Sequence, residues 1–235
     1  MKNREEESIH YITAEPDSFA DFFKKIYQFK PLIIVFAKRD LKVKYAQTLI
    51  GIGWTLIQPL IAIAIYTFFF GYLLNWKTDE LPFPLYVMSG ILGWNFFAYI
   101  VNNGVNSLMD SSSIIRKIYF PKSILPLSKV GVALVELVFP LLLLILMILY
   151  YGKPILWTIV FIPLILYYNI ICALCIVFWF SIFSYIKRDL LHVLPFILQF
   201  GIWFAPVFFS TTILPDRFAI IMNFNPMANV VQLWR

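Results

Sequence analysis

Charge is scarce in this 235-residue chain: 14% of its residues are Asp, Glu, Lys or Arg, where soluble domains carry roughly 25%. With 61% of residues hydrophobic, a water-soluble core is excluded. Two histidines and two cysteines leave little material for a metal centre. Cys172 and Cys175 do form a CxxC, but inside an apolar block, where small packing residues are expected rather than a zinc or redox pair. No GxxxxGK[ST] phosphate loop, HExxH, GxSxG or calcium-loop pattern occurs. Nor is there an intramembrane carboxylate pair or histidine cluster to drive a proton pump. The chain therefore reads as lacking both a catalytic centre and an energy source of its own. The first 20 residues are polar and acidic, which predicts no cleavable signal peptide.

What the chain does have is five long apolar blocks: 50–74, 81–101, 130–151, 154–183 and 190–214. Crossing a hydrocarbon core takes about 20 helical residues. Lipid offers the backbone no hydrogen bonds, so blocks of this length without period-2 alternation are predicted to be helices. The expected fold is all-α, a polytopic helical membrane protein.

The net charge of +6 matters through its placement. Lys2, Arg4, Lys24, Lys25, Lys30, Lys38, Arg39, Lys42 and Lys44 precede the first block. Arg116, Lys117, Lys122 and Lys129 lie between the second and third, and Lys187 and Arg188 between the fourth and fifth. The other side of the membrane receives only Lys77, Lys153, Arg217 and Arg235. Cytoplasmic loops carry the excess of Lys and Arg, so the N-terminus is expected in the cytoplasm. This distribution reads as membrane topology, not nucleic-acid binding.

Three regions follow from the pattern: a polar tail (1–17), cytoplasmic interface helices (18–48) and a transmembrane domain (49–235). Ser18 with Asp21 resembles a capping box. Phe19, Phe22, Phe23, Ile26 and Tyr27 then form one apolar stripe, with Lys24 and Lys25 off it. Such a helix either lies on the cytoplasmic leaflet or docks against other spans. Gln58-Pro59 interrupts the first span; proline removes a backbone donor, and the glutamine needs a protein partner or a wet cavity. Asn102–Ser128 reads as the longest polar connection, and its apolar grouping Ile114, Ile115, Ile118, Tyr119 and Phe120 favours a partner-docking role over slack. Glu136, seven residues after Lys129, is either a functional intramembrane carboxylate or an interfacial one paired with a basic side chain. His192, beside Lys187, Arg188 and Asp189, reads as interfacial rather than as a proton relay. Residues 215–235 are too short and polar for a comfortable crossing, and by parity lie outside as interfacial or re-entrant helices.

The residues also carry a resemblance. Arg39-Asp40-Leu41-Lys42-Val43-Lys44-Tyr45 followed by Leu49-Ile50-Gly51, Trp54 and Gln58-Pro59 resembles the start of the first span in ABC polysaccharide-exporter permeases. Phe69-Phe70-Gly71, Pro84-Leu85-Tyr86, Trp94-Asn95-Phe96-Phe97, Arg116-Lys117-Ile118-Tyr119-Phe120-Pro121, Ala205-Pro206-Val207-Phe208 and Asn225-Pro226-Met227 extend it over residues 32–235. The O-antigen exporter permease is the nearest pattern, with teichoic-acid and capsule exporters as relatives. The resemblance implies a homodimer in the bacterial inner membrane, working with two copies of a cytoplasmic ATPase. The implied substrate is a polysaccharide on a polyprenyl diphosphate, moved to the periplasmic face. ATP and Mg would sit on the partner, leaving this subunit a permease and not an enzyme, with no cofactor or metal of its own. Family members have six spans with short outer-face helices before the sixth. A match between residues 216–234 and those helices implies a chain incomplete at its C-terminus.

Such a function suggests where to look. Aromatic side chains hold sugar C–H faces loosely, so Tyr66, Phe70, Tyr72, Tyr86, Trp203, Phe204 and Phe208 are candidates to line a channel, or else belong to interfacial belts. Lys38, Arg39, Lys42 and Lys44 cluster at the cytoplasmic mouth, either to meet the lipid diphosphate or only to set topology. Ser107–Phe120 is expected to couple to the ATPase, through Asp110, Arg116 and Lys117 as polar contacts and Ile114, Ile115 and Tyr119 as anchor. Two other readings stand beside this one: a permease for a drug, lipid or other small molecule, and a membrane enzyme acting on polyprenyl carriers. A structural subunit without a pathway is a third.

Overall fold

A computed structural model describes residues 19–46, 48–76, 81–154, 157–209, 222 and 224–235. The N-terminal tail lies outside these residues, as do 215–221 and 223 of the expected outer-face segment 215–235. Among the described residues every regular element is helical. Four helices are long and apolar enough to cross a membrane.

Helix α1 (Phe19–Gln28) leads through a turn at Phe29 into α2 (Lys30–Tyr45). Pro31 sits in the first turn of α2, where its missing N–H would have no intrahelical partner anyway. The first span is α3 (Trp54–Tyr66), entered by a tight turn at Gly51–Gly53 and continued by a π-helical stretch, Thr67–Leu73. In that stretch the Leu74 N–H donates to the Phe69 carbonyl at 3.0 Å, a wider turn than an α-helix makes.

The second span, α4 (Phe83–Asp110), has 28 residues, or about 42 Å of helix. That exceeds a hydrocarbon core of roughly 30 Å, so the last turns project beyond it. Sequence polarity placed a loop from Asn102 onward; the helix instead continues for nine residues. Asn103 and Asn106 donate their Nδ2 groups to the Tyr99 and Asn102 carbonyls, satisfying their amides on the helix itself. The third span also begins before its apolar block, at Ile124, with α6 (Ile124–Tyr150); Pro126 is tolerated in its first turn. Between them only α5 (Ser112–Ile115) and short turns remain of the expected long loop.

The fourth span comprises a tight turn, Trp157–Phe161, and α7 (Ile162–Ile186). The fifth block departs from expectation. Helix α8 (Asp189–Phe204) has 16 residues, about 24 Å, and ends at Ala205-Pro206 instead of continuing to Leu214. The chain then folds inward: Ala205, Val207 and Phe208 are buried, and Tyr86 Oη donates to the Phe209 carbonyl at 2.7 Å. Apolarity alone does not distinguish a helix from a turn covered by protein. A final helix, α9 (Pro226–Leu233), is capped by Asn225, whose side chain accepts from the Met227 N–H.

Helix α4 is the hub. It packs against α6 and α7 along most of its length and against α3, α8 and α9 elsewhere. Close approach depends on glycine: a Cβ at Gly104 would lie 2.8 Å from Val177, and one at Gly93 2.6 Å from Trp234. Small residues allow this contact where lipid supplies no hydrophobic drive between helices. Asn169 of α7 reinforces the packing by donating to the Gly93 carbonyl at 3.1 Å. The outer faces of α6, α7 and α8 expose Leu142, Leu146, Leu164, Trp179, Phe196 and Phe200, a lipid-compatible surface.

Candidate functional site

Helices α3, α4, α6 and α8 enclose a groove of about 740 Å³, with the end of α2 at one mouth. Its walls differ from the rest of the bundle. Helix α4 contributes Asn95, Tyr99, Asn102 and Asn103, spaced to share one face. Gln58 comes from α3, beside Pro59, and Gln199 from α8. Trp54, Thr55 and Tyr66 interleave with these amides. Gln58, Asn95 and Gln199 are exposed in the isolated chain, and none of their amides is hydrogen-bonded among the described residues. In hydrocarbon an unpartnered amide costs on the order of 4–8 kcal/mol. Lipid tails therefore cannot fill this groove; water, a polar ligand or a polar protein surface must.

One mouth of the groove is ionic. Lys44 Nζ lies 2.7 and 2.8 Å from the Glu136 carboxylate oxygens, and Tyr45 Oη donates to Oε1 at 2.8 Å. The Lys44 ammonium also sits 4.6 Å from the centre of the Tyr99 ring, a cation–π contact. Four residues back on α2, Asp40 accepts from Lys129 Nζ at 2.6 Å and from Arg39 at 2.7 and 2.9 Å. Asp40 and Lys44 are one turn apart on α2, and Lys129 and Glu136 two turns apart on α6, so the two pairs clasp the same two helices. Burial pushes the Asp40 carboxyl up, but hydrogen bonds from Lys129 and Arg39 outweigh it and hold it below the ordinary carboxylate range. Burial, with Glu136 alongside, pushes the Tyr45 hydroxyl up, so it stays a proton donor.

The other end of the groove is aromatic. The Tyr66 ring lies 4.2 Å from that of Phe208, which contacts Trp203 at 4.9 Å and Phe70 at 6.1 Å; Phe70 in turn meets Trp76 at 4.8 Å. Phe208 is 0% exposed at the centre of this cluster.

The residues singled out from sequence separate accordingly. Tyr66 lines the groove, while Phe70, Trp203 and Phe208 pack in a cluster with it without lining the groove themselves. Tyr72 and Phe204 point outward and are exposed. Tyr86 is buried and serves the fold: its ring underlies the Arg235 guanidinium at 3.5 Å, and Arg235 donates to the Pro206 and Val207 carbonyls. Burial lowers the Arg235 pKa to about 10, with Tyr86 partly opposing that shift. Of the basic cluster, Arg39 and Lys44 are engaged in ion pairs, whereas Lys38 and Lys42 stand exposed, with no ion pair among the described residues. Glu136 does take a basic partner, but it is Lys44 and not the nearby Lys129.

At the α4–α6 connection, Asp110, Arg116 and Lys117 are exposed and Tyr119 is 72% exposed. Ile114 and Ile115 turn the other way, half-buried against a cluster of Phe36, Phe120, Ile124 and Leu125. The exposed apolar residue beside Tyr119 is instead Ile118. On α1, Phe23 and Tyr27 remain exposed, so this stripe is not docked on the spans. His192 is exposed near the start of α8, Cys172 and Cys175 are free thiols, and no cluster of potential metal ligands occurs among the described residues. The amide wall itself was missed from sequence. Asn95, Tyr99, Asn102 and Asn103 recur at helical spacing, a signal hidden by assigning Asn102 to a loop.

Fold and groove together define a polytopic helical membrane protein with a polar groove between its spans. Sequence comparison places it more closely. The chain is 27% identical over 205 residues (87% of this chain, 78% of the relative) to an O-antigen export system permease protein of Klebsiella pneumoniae. It is 25% identical over 210 residues (88% and 80%) to the protein of the same description in Myxococcus xanthus. To a polysialic acid transport protein of Escherichia coli it is 20% identical over 202 residues (84% and 77%). No known family profile matches the chain. Over most of its length it thus resembles polysaccharide-export permeases, those of O-antigen export above all.

Proposed function

We propose that this chain is the membrane-spanning subunit of an ATP-driven ABC exporter that passes a lipid-linked polysaccharide, of O-antigen type, from the cytoplasmic to the periplasmic side of the inner membrane. The observation that carries this reading is the set of amides at Gln58, Asn95 and Gln199, left without partners in a groove between apolar spans. Carboxamides exchange hydrogen bonds with hydroxyls, and the interleaved Trp54, Tyr66 and Tyr99 offer faces to sugar C–H groups. Many weak contacts suit a polymer that must slide. In one chain the groove is open along one side; a second copy closes it in the homodimer. The excess of basic residues orients the Lys44 mouth toward the cytoplasm, with α1 on the leaflet surface.

Replacing Gln58, Asn95 and Gln199 together by leucine should leave the protein in the membrane at normal amount while lipid-linked polymer accumulates inside the cell. Unaltered surface polysaccharide in that variant would refute the reading. Coupling to two ATPase subunits is assigned to the exposed Arg116, Lys117, Ile118 and Tyr119. Reversing the charges of Arg116 and Lys117 should abolish export without lowering expression, and normal export by that double variant would remove this surface from the account.

A second reading has one observation behind it. An apolar cavity of about 880 Å³ lies between α6 and α7, lined by Leu144, Ile148, Ile165 and Tyr168 among others. It would suit a lipid or drug entering from the bilayer. Leucine substitutions in the amide groove would then leave transport intact, whereas bulky residues at Leu144 and Ile165 would block it.

A further inference from the structure

The two ion pairs that clasp α2 to α6 are unequal. Asp40 and Lys129 are both shielded, with side chains 15% and 14% exposed. In the second pair Glu136 is 13% exposed but Lys44 is 43% exposed, and both line the mouth of the amide groove. A lysine this open to water is held loosely, because solvent screens the attraction and the long side chain keeps alternatives. Its ammonium lies over the Tyr99 ring, one turn from Asn102 and Asn103 on the groove wall. An incoming anion thus meets a reachable cation already aimed at the path, with a carboxylate occupying the place an anion would take.

Resting on the export reading, we infer that Lys44 and Glu136 form a latch opened by the diphosphate group of the cargo, which takes Lys44 from Glu136 while Asp40–Lys129 holds as the pivot. The chemistry favours the exchange in this direction. A diphosphate brings more negative charge and more acceptor oxygens than one carboxylate, and charge-assisted bonds to phosphate are strong. Once it is bound, Glu136 faces a like charge and keeps only the Tyr45 hydroxyl. Repulsion then separates the end of α2 from α6, and the mouth widens beside the group that caused it. Unloaded, the same pair keeps the mouth shut. The latch thereby ties opening to cargo: bulk inorganic ions of single charge compete poorly, and sugar without the headgroup does not operate it.

The test uses the full chain in lipid discs, with Cys172 and Cys175 replaced and spin labels at the exposed positions Val43 on α2 and Val138 on α6. The probes are farnesyl diphosphate, inorganic diphosphate and farnesol. Farnesyl diphosphate should lengthen the distance between the labels, and farnesol should leave it unchanged. Equal lengthening by inorganic diphosphate would support the latch and assign the group to a soluble phosphate instead of a lipid headgroup. Glu136→Gln should show the longer distance without any probe and bind farnesyl diphosphate on the order of tenfold more tightly, since the competing carboxylate is gone. The double variant Lys44→Gln/Glu136→Gln leaves no charge unmatched, so it should fold, yet lose binding by about tenfold or more. A wild-type distance unmoved by farnesyl diphosphate, a response to farnesol, or a double variant binding as tightly as wild type would each overturn the latch. Failure here with export still blocked by leucine in the groove would leave the transport reading standing. A working latch with export unaffected by those leucines would do the reverse.

Discussion

The two ends of the groove are bounded by opposite means. At the α2–α6 end, four charged side chains and a tyrosine hold the helices together; at the other, five rings pack against one another with no formal charge among them. Ion pairs are long-ranged, screened by salt and exchangeable for other ions. A ring cluster is short-ranged, indifferent to salt, and yields only when helices move apart. One end answers to the chemistry of what arrives, the other to mechanical displacement. Under the export function proposed above, that division would keep the path shut until cargo and energy are both present.

The sharpest way to break the comparison is to empty the aromatic end. Phe208→Ala removes the central, fully buried ring and should lower stability by about 3 kcal/mol or more, read as a fall in thermal midpoint that does not change with ionic strength. At the ionic end, Asp40→Ala leaves Lys129 without its carboxylate in a shielded setting. A loss of roughly 2 kcal/mol is expected, below the 3–5 of a fully buried pair because water still reaches both groups. Asp40 also sets a pH signature. Its carboxyl is held below the ordinary 3.8 despite burial, chiefly by the Lys129 and Arg39 hydrogen bonds, so acid protonates the unfolded chain first. The contribution of the clasp is whole above that ordinary value and disappears as pH falls through the native one. Wild type and Asp40→Ala should therefore converge in thermal midpoint at acid pH; a gap that persists there would separate the clasp from Asp40 ionisation. The smallest effect belongs to the exposed pair: Lys44→Gln should cost about 1 kcal/mol at low salt, shrinking between roughly 0.1 and 1 M salt. A loss as large and salt-independent as that of Phe208→Ala would erase the distinction between the ends.

The sequence made the membrane bundle readable because lipid forces any long apolar run to satisfy its own backbone, leaving few alternatives to helix. Its errors fall where that logic lapses. Asn102–Asp110 is polar enough for a loop, but α4 continues through it, with Gly104, Val105 and Ser107 buried and the Asn103 and Asn106 amides donating to the helix's own carbonyls. Residues 205–209 are apolar enough for a span, but a turn buried against Gly90 and Tyr86 is equally content there. The site was readable only in its composition. Lys44 and Glu136 are 92 positions apart, and nothing local says that Glu136 would pass over Lys129, its neighbour along the helix, because Lys129 is committed to Asp40. Likewise the aromatic residues were identifiable as a group, while their division into wall, plug, scaffold and lipid-facing surface was set by helix rotation.

One of those rotations is unusual. The stretch Thr67–Leu73 winds more slowly than its neighbours, so α3 carries there more chain than its height requires. Shortening that stretch by one residue can be absorbed by tightening the winding, with both flanking ends kept in place. The same excision in α4 has no slack to draw on, and would swing Asn95, Tyr99 and Asn102 away from their shared wall by about 100°. The two neighbouring spans thus differ in tolerance to length change: one is a spring with a spare coil, the other a ruler.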